Sequence, residues 1–132
     1  MKKFLILSLI TLLLTGCTFS LKKVIDKDDN QKEYLNATEL KEIMANNDYI
    51  IIDVRTPLEY EEEHIIDAIN IPYGEVTNDT SLYKDKVILL YCKSGFRADI
   101  AYQTLYNLGF EVYNMGGIED INLPKEVKST KK

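Results

Sequence analysis

Cys92-Lys93-Ser94-Gly95-Phe96-Arg97 brings a nucleophilic sulfur, two cations and a turn-forming glycine together within six residues. Before it lies the apolar run Val87-Ile88-Leu89-Leu90-Tyr91, which reads as a buried parallel strand. After it, Ile100, Ala101, Leu105 and Leu108 recur at the spacing of one helix face, so a helix is expected from Ala98 to Asn107. The cysteine therefore sits where a strand ends and a helix begins, the edge at which open α/β sheets bind ligands. A loop entering a helix N-terminus aims backbone N–H groups at one spot, and the helix dipole adds partial positive charge. Lys93 and Arg97 add two full charges. Such surroundings favour thiolate, lowering a thiol from about 8.5 to roughly 3.5–7.5. The expected chemistry is nucleophilic attack by Cys92 on an oxyanion or a sulfur anion held in the same cradle.

These residues resemble a known family. Cys-x-x-Gly-x-Arg after a hydrophobic strand is similar to the active-site loop of rhodanese-like domains, which are sulfurtransferases. Upstream, Ile51-Ile52-Asp53-Val54-Arg55-Thr56-Pro57-Leu58-Glu59-Tyr60 and His64-Ile65-Ile66-Asp67-Ala68-Ile69-Asn70-Ile71-Pro72 resemble the family's Asp-Val-Arg…Glu-x-x-x-x-His-Ile…Ala-x-Asn-Ile-Pro signature. Downstream, Val112-Tyr113-Asn114-Met115-Gly116-Gly117-Ile118 resembles its closing strand and Gly-Gly turn. The chain departs from the pattern in three places. Asp67 stands where Gly is usual, Ala98 where Ser is common, and no Trp follows Gly-Gly.

The resemblance implies a three-layer α/β fold, with a central, mostly parallel five-stranded sheet and helices on both faces. It implies Cys92 as the catalytic residue, with Lys93, Ser94, Gly95, Phe96 and Arg97 binding the substrate. The donor would be a small inorganic sulfur anion such as thiosulfate, the intermediate a Cys92 persulfide, and the acceptor a thiol or a protein. No metal and no organic cofactor is implied. Cysteine-dependent phosphatases and arsenate reductases place five residues between Cys and Arg, whereas four intervene here. The smaller loop suits a terminal sulfur better than a tetrahedral phosphate. Two other readings stay open: a binding module that captures a sulfur-carrying partner without turnover, and a thiol-redox protein forming mixed disulfides at Cys92. The second lacks a resolving cysteine in the domain.

The strands and helices that position the loop are legible along the chain. A short strand is expected near Tyr34-Leu35, and Asn36 with Glu39 caps a helix from Ala37 to Ala45. Strands follow at Tyr49–Val54, Ala68–Ile71, Val87–Tyr91 and Glu111–Asn114, with a short helix opened by Pro57 and running to Glu62. Strands alternating with helices indicate a parallel sheet. Asp53 and Arg55 fall at the sheet edge expected for Cys92, and an ion pair of Arg55 with Glu59 is the simplest local arrangement. His64, the only histidine, reads as a structural turn residue, which leaves no partner histidine for a metal site. The run Glu61-Glu62-Glu63 reads as a solvated face.

The N-terminus carries a separate signal. Lys2 and Lys3 precede an apolar run from Phe4 to Leu14, too short for the roughly 20 residues that span a bilayer. It ends in Leu14-Thr15-Gly16-Cys17, which resembles a bacterial lipoprotein processing site. The expected organisation is a signal peptide over 1–16, lipidated Cys17 with a polar tether over 17–33, the domain over 34–124, and a solvated basic tail over 125–132. Diacylglyceryl and N-acyl (palmitate-type) chains together suffice for stable anchoring. The protein would hang from the outer face of a bacterial membrane, on the periplasmic or extracellular side. With Cys17 acylated, Cys92 has no disulfide partner in its own chain, which suits a reactive thiol. A length of 132 residues, 45% of them hydrophobic, fits one domain with an ordinary core. The net charge of −5 argues against a nucleic-acid partner.

Overall fold

The computed structural model describes residues 34–129. The expected signal peptide over 1–16, Cys17 with its expected tether, and the last three residues lie outside the described part. Among the described residues, no helix is long and apolar enough to cross a membrane.

Two helices are started by the same local device. Asn36 Oδ1 accepts from the backbone N–H groups of Thr38 (2.9 Å) and Glu39 (3.0 Å), and Glu39 Oε2 accepts the Asn36 N–H (3.0 Å). This reciprocal capping box opens α1 (Ala37–Asn46). Thr56 and Glu59 form a second one at α2 (Pro57–Glu62), where Pro57 supplies a preset φ in the first turn. Between the helices runs β1 (Tyr49–Asp53), and after α2 come β2 (Glu63–Ile65) and β3 (Ile69–Asn70). Then follow α3 (Val76–Asp79), a 3₁₀ turn (Thr80–Tyr83), β4 (Val87–Cys92), α4 (Phe96–Asn107), β5 (Val112–Gly117), a 3₁₀ turn (Ile118–Asp120) and β6 (Lys125–Val127).

The central sheet is parallel throughout, with strand order β3-β1-β4-β5. All six residues of β4 are buried, so its near-continuous apolar sequence faces protein on both sides. Its side chains alternate between two clusters. Ile88, Leu90 and Cys92 pack with Val76 of α3 and with Ala98, Ala101 and Leu105 of α4. Val87, Leu89 and Tyr91 pack with Leu40 of α1, Ile65, Met115 and Ile121. The result is three layers, with α1 on one face of the sheet and α3 and α4 on the other. The direction of strand addition reverses between β1 and β4, the switch point at which open α/β sheets bind ligands, and Asp53 and Cys92 lie at the C-terminal ends of these two strands.

Three expectations need correction. The central sheet has four strands rather than five, because Tyr34-Leu35 makes no ladder and joins β5 only through the Leu35 N–H to the Asn114 carbonyl (3.1 Å). The basic tail is not wholly solvated, since its first residues form β6, antiparallel to β2 in the register Ile65↔Lys125 and Glu63↔Val127. That pairing, extended by the Lys128 N–H to the Glu62 carbonyl (2.9 Å), satisfies backbone groups of β2 while Ile65 points into the core. The three-residue runs Glu-His-Ile and Lys-Glu-Val carry too little apolar pattern to announce strands. It also follows that Glu63 is not part of a solvated face; it is half-buried in β2, and its carbonyl accepts from Arg55.

His64 is half-buried in β2 and held by contacts within the domain. Its Nδ1 must carry the proton, because it lies 2.7 Å from the Tyr60 carbonyl, which can only accept. Its ring stacks on Tyr60 at 3.9 Å. Asp67, at the position where the resembling family usually has Gly, adopts the left-handed conformation (φ 66°), which Asp tolerates better than most other non-glycine residues.

Leu90 is fully buried in the middle of β4. Replacing it with Ala is expected to lower the unfolding free energy by roughly 2–5 kcal/mol, measured as a lower midpoint in urea denaturation.

Candidate active site

β4 ends on Cys92 and α4 begins on Phe96, two residues earlier than its apolar spacing indicates. Phe96 and Arg97 therefore belong to the first turn of the helix, and only Lys93, Ser94 and Gly95 make the turn. Gly95 is the N-cap and has φ 88°, a left-handed conformation that Gly adopts without steric cost. With the chain bent this way, the Gly95 N–H donates to Cys92 Sγ at 3.0 Å. The first helical bond runs from the Asp99 N–H to the Gly95 carbonyl (2.9 Å), so the preceding N–H groups of α4 open toward the loop. Cys92 is 1% exposed and Gly95 is buried, whereas Lys93, Ser94 and Phe96 are exposed.

Three contacts from β5 and the start of the domain hold this turn. Asn114 Nδ2 donates to the Gly95 carbonyl (3.1 Å), and Asn114 Oδ1 accepts the Gly116 N–H (2.9 Å). One buried amide thus ties the cysteine loop to the closing strand. Opposite Leu90↔Asn114 the pairing slips to Cys92↔Gly117, so β5 carries one extra residue there, as in a bulge. The slip brings Gly117 against the loop backbone: a Cβ on it would stand 2.6 Å from the Lys93 carbonyl oxygen and 3.2 Å from Ser94 Cα. The Tyr34 ring lies across Gly95 and Gly116, where a side chain on Gly95 would collide with it. The Tyr34 hydroxyl donates to the Ser94 carbonyl (3.4 Å).

The charges pair differently from the sequence expectation. Arg55 bonds Asp53 rather than Glu59: its Nε reaches both carboxylate oxygens (3.0 and 3.1 Å), and its Nη2 reaches Asp53 Oδ2 at 2.7 Å. Asp53 is fully buried and Arg55 nearly so. Burial alone would lower the Arg55 guanidinium, but the hydrogen bonds and charge of Asp53 more than offset it and raise it. The Arg55 guanidinium also sits over the Tyr91 ring at 5.6 Å. Burial pushes the Tyr91 phenol well above its ordinary range, and its oxygen accepts the Ile65 N–H (3.1 Å).

Glu59 instead takes Arg97. The two guanidinium Nη atoms meet the two carboxylate oxygens at 2.7 and 2.8 Å, in a bidentate fork. Glu59 is held low, at about 2, first by Arg97 and then by the Thr56 hydrogen bonds, against the opposing effect of burial. Arg97 is raised mainly by Glu59, with smaller contributions from the charges of Cys92 and Asp53. Lys93 forms no ion pair with the described residues.

The expected site residues are thus contiguous but divided among three elements, Cys92 ending β4, Lys93 to Gly95 making the turn, and Phe96 and Arg97 opening α4, while Cys17 lies outside the described residues. Glu59, Asn114 and Tyr34 were not singled out as site residues. In the sequence Glu59 reads as the partner of Arg55 and as part of the upstream signature, and Asn114 only as a residue of the closing strand. Nothing in the sequence marks Tyr34. Ala98, where the resembling family often has Ser, is fully buried against the sheet. Among the described residues no cluster of His, Cys, Asp or Glu could hold a metal ion.

The family model described as rhodanese-like domain matches residues 36–123. Thiosulfate sulfurtransferase PspE of Escherichia coli (strain K12) is 38% identical over 78 residues, covering 56% of this chain and 75% of that protein. The tRNA uridine(34) hydroxylase of Wigglesworthia glossinidia brevipalpis is 29% identical over 120 residues, but the match spans only 36% of that longer protein. Among solved structures, a rhodanese with anions from E. coli superposes with TM-score 0.57 at 36% identity, covering 61% of this chain and 99% of that one. A rhodanese-related protein from Thermoplasma volcanium gives TM-score 0.61 at 30% identity, covering 73% of this chain and 99% of that one.

A carboxyl held at about 2 in the folded protein, against an ordinary 4.5, stabilises the fold above pH 4.5, and that stability is lost as pH falls through about 2. Wild type is expected to exceed Glu59→Gln by about 2 kcal/mol near pH 7, a figure kept modest because the pair is partly exposed. The gap should close as denaturation is repeated from pH 4.5 downward.

Proposed function

This chain belongs to the rhodanese-like domain family, and we propose that it is a sulfurtransferase that moves sulfane sulfur from a donor such as thiosulfate through a Cys92 persulfide. The observation that carries this reading is the Cys92 sulfur held at the head of α4, 3.0 Å from the Gly95 N–H, at the C-terminal end of β4 where the sheet order switches. The thiolate attacks the outer sulfur of the donor. A bond forms between Sγ and that sulfur, the donor's own S–S bond breaks, and sulfite leaves with the electron pair. A thiophilic acceptor (a thiol, a protein thiol, or cyanide in the test tube) then takes the terminal sulfur and restores the thiolate. The two half-reactions make the kinetics ping-pong. The Gly95 N–H and the first-turn N–H groups of α4 stabilise negative charge on the terminal sulfur. Exposed Lys93 attracts the donor anion.

The similarity to PspE supports the same class of reaction. The apolar N-terminal run ending in Leu14-Thr15-Gly16-Cys17 supports a lipid anchor on Cys17, which would hold the domain at the outer face of a membrane.

Incubation of the full chain with thiosulfate should add one sulfur to the Cys92 peptide, seen by mass spectrometry. Cyanide should then remove it as thiocyanate, and Cys92→Ser should show neither event. Absence of both the adduct and thiocyanate in wild type would sink the thiosulfate reaction. In cells fed labelled palmitate, label should enter wild type and be lost in Cys17→Ser; equal labelling of both would refute the anchor.

A further inference from the structure

The fork between Glu59 and Arg97 changes the charge that an arriving donor meets. In the sequence, Lys93 and Arg97 make the loop look doubly cationic. In the structure the Arg97 charge is matched by a carboxylate, and Lys93 is the loop cation with no ion pair among the described residues. Glu59 is also unusually well fixed. Its Oε2 accepts from the Thr56 N–H (3.1 Å), the Thr56 hydroxyl (2.9 Å) and Arg97 Nη1 (2.7 Å), while Oε1 accepts from Arg97 Nη2 (2.8 Å). The capping box of α2 thus aims a carboxylate that stays ionised at neutral pH at Arg97, in the first turn of α4 just after the cysteine loop. The N-cap residue of that helix, Gly95, donates its N–H to Cys92 Sγ at 3.0 Å, so the fork is built on the same helix end that holds the reacting sulfur.

We propose that Glu59 is a specificity-determining residue that biases the site toward singly charged sulfane donors, such as persulfides and thiosulfonates, over the thiosulfate dianion. The proposal rests on the sulfurtransferase reading above. The physical reason is proportionality: the repulsion between a fixed charge and a ligand scales with the ligand's charge. A dianion is penalised by Glu59 twice as strongly as a monoanion in the same place. The other charged groups around the loop leave this effect intact. Asp53 is neutralised by Arg55, Asp120 borders Gly117 on the β5 side, and Asp99 lies on the first turn of α4.

The test compares thiosulfate with benzenethiosulfonate, a monoanion that undergoes the same reaction. In both, a bond forms from Cys92 Sγ to the terminal sulfur, that sulfur's bond to the oxidised sulfur breaks, and sulfite or benzenesulfinate leaves with the electron pair. Glu59→Gln preserves the capping box, since Gln serves there as well as Glu, and its amide oxygen can still accept from Arg97. In the full chain, kcat/KM for benzenethiosulfonate is expected to rise about twofold and that for thiosulfate about fourfold, the square of the smaller factor. Glu59→Asp, which keeps the charge, should restore the wild-type ratio between donors. An equal change for both donors, in either direction, would show a merely structural role for Glu59 and overturn the proposal.

A second readout needs no sulfur transfer. The ratio of Cys92 alkylation rates by iodoacetate and by uncharged iodoacetamide, followed on the Cys92 peptide, should rise about twofold in Glu59→Gln. An unchanged ratio refutes the role of Glu59 even if neither donor is turned over, whereas lack of turnover with a raised ratio refutes only the sulfurtransferase reading.

Discussion

The chain has three residues, Lys93 to Gly95, in which to turn from a fully buried strand into a helix that packs back on the same sheet. Nearly every feature of the site follows from that constraint. So tight a turn needs a left-handed residue, which makes position 95 a glycine. A glycine has no side chain to brace the loop, so bracing comes from outside: the Asn114 amide below, the Tyr34 ring across it, and the backbone of Gly117 against Lys93. The slip between β4 and β5 makes this last approach possible, and it requires the second glycine of the pair to lack a Cβ. In this way the closing strand and the nucleophile's loop form one unit, although 24 positions separate Cys92 from Gly116.

Beneath the loop lies a second constraint, electrostatic rather than steric. Asp53 and Arg55 sit almost without solvent beside Tyr91, the residue preceding the cysteine. A buried pair of this kind adds little net stability, but removing either partner strands a charge at a cost of roughly 3–5 kcal/mol. Its geometry therefore behaves as rigid. Arg55 also reaches the Glu63 carbonyl, and Asn70 donates to the carbonyls of both Asp53 and Arg55 at 3.0 Å. The ends of β1, β2 and β3 are stitched together by polar bonds that leave no buried polar side-chain atom unsatisfied among the described residues.

How much of this could be read from the sequence depended on whether the signal was local. The Asn36–Glu39 cap, the helix start at Pro57, the buried runs of β1 and β4 and the cysteine turn are each encoded within a few residues, and the structure has them close to where the sequence places them. Helix α4 began early because its first two residues, Phe96 and Arg97, lie off the buried apolar face and so escaped the periodicity. The β2–β6 pair was invisible because each strand is three residues long and depends on a partner some sixty residues away. Arg55 was assigned the wrong carboxylate for a related reason. Sequence proximity allowed both Asp53 and Glu59, and only the fold shows that Arg97, 38 positions from Glu59, claims the latter. Tyr34 reaches Ser94 and Asn114 reaches Gly95 across 60 and 19 positions, so no local pattern could have flagged their part in the cysteine loop.

The dual use of Glu59 has an evolutionary corollary. Many surface ion pairs can be inverted over time, the acid and the base exchanging places through two compensating substitutions. This pair cannot, because position 59 must also accept hydrogen bonds from Thr56, and an arginine has no acceptor to offer. A glutamate at position 97 would in turn set a negative side chain on the turn that carries the nucleophile. The two sites can drift together toward neutrality, or one can be lost, but the path to a mirror-image arrangement is closed. Divergence among descendants of such a domain is thereby channelled into how much charge the loop carries, with its polarity left fixed.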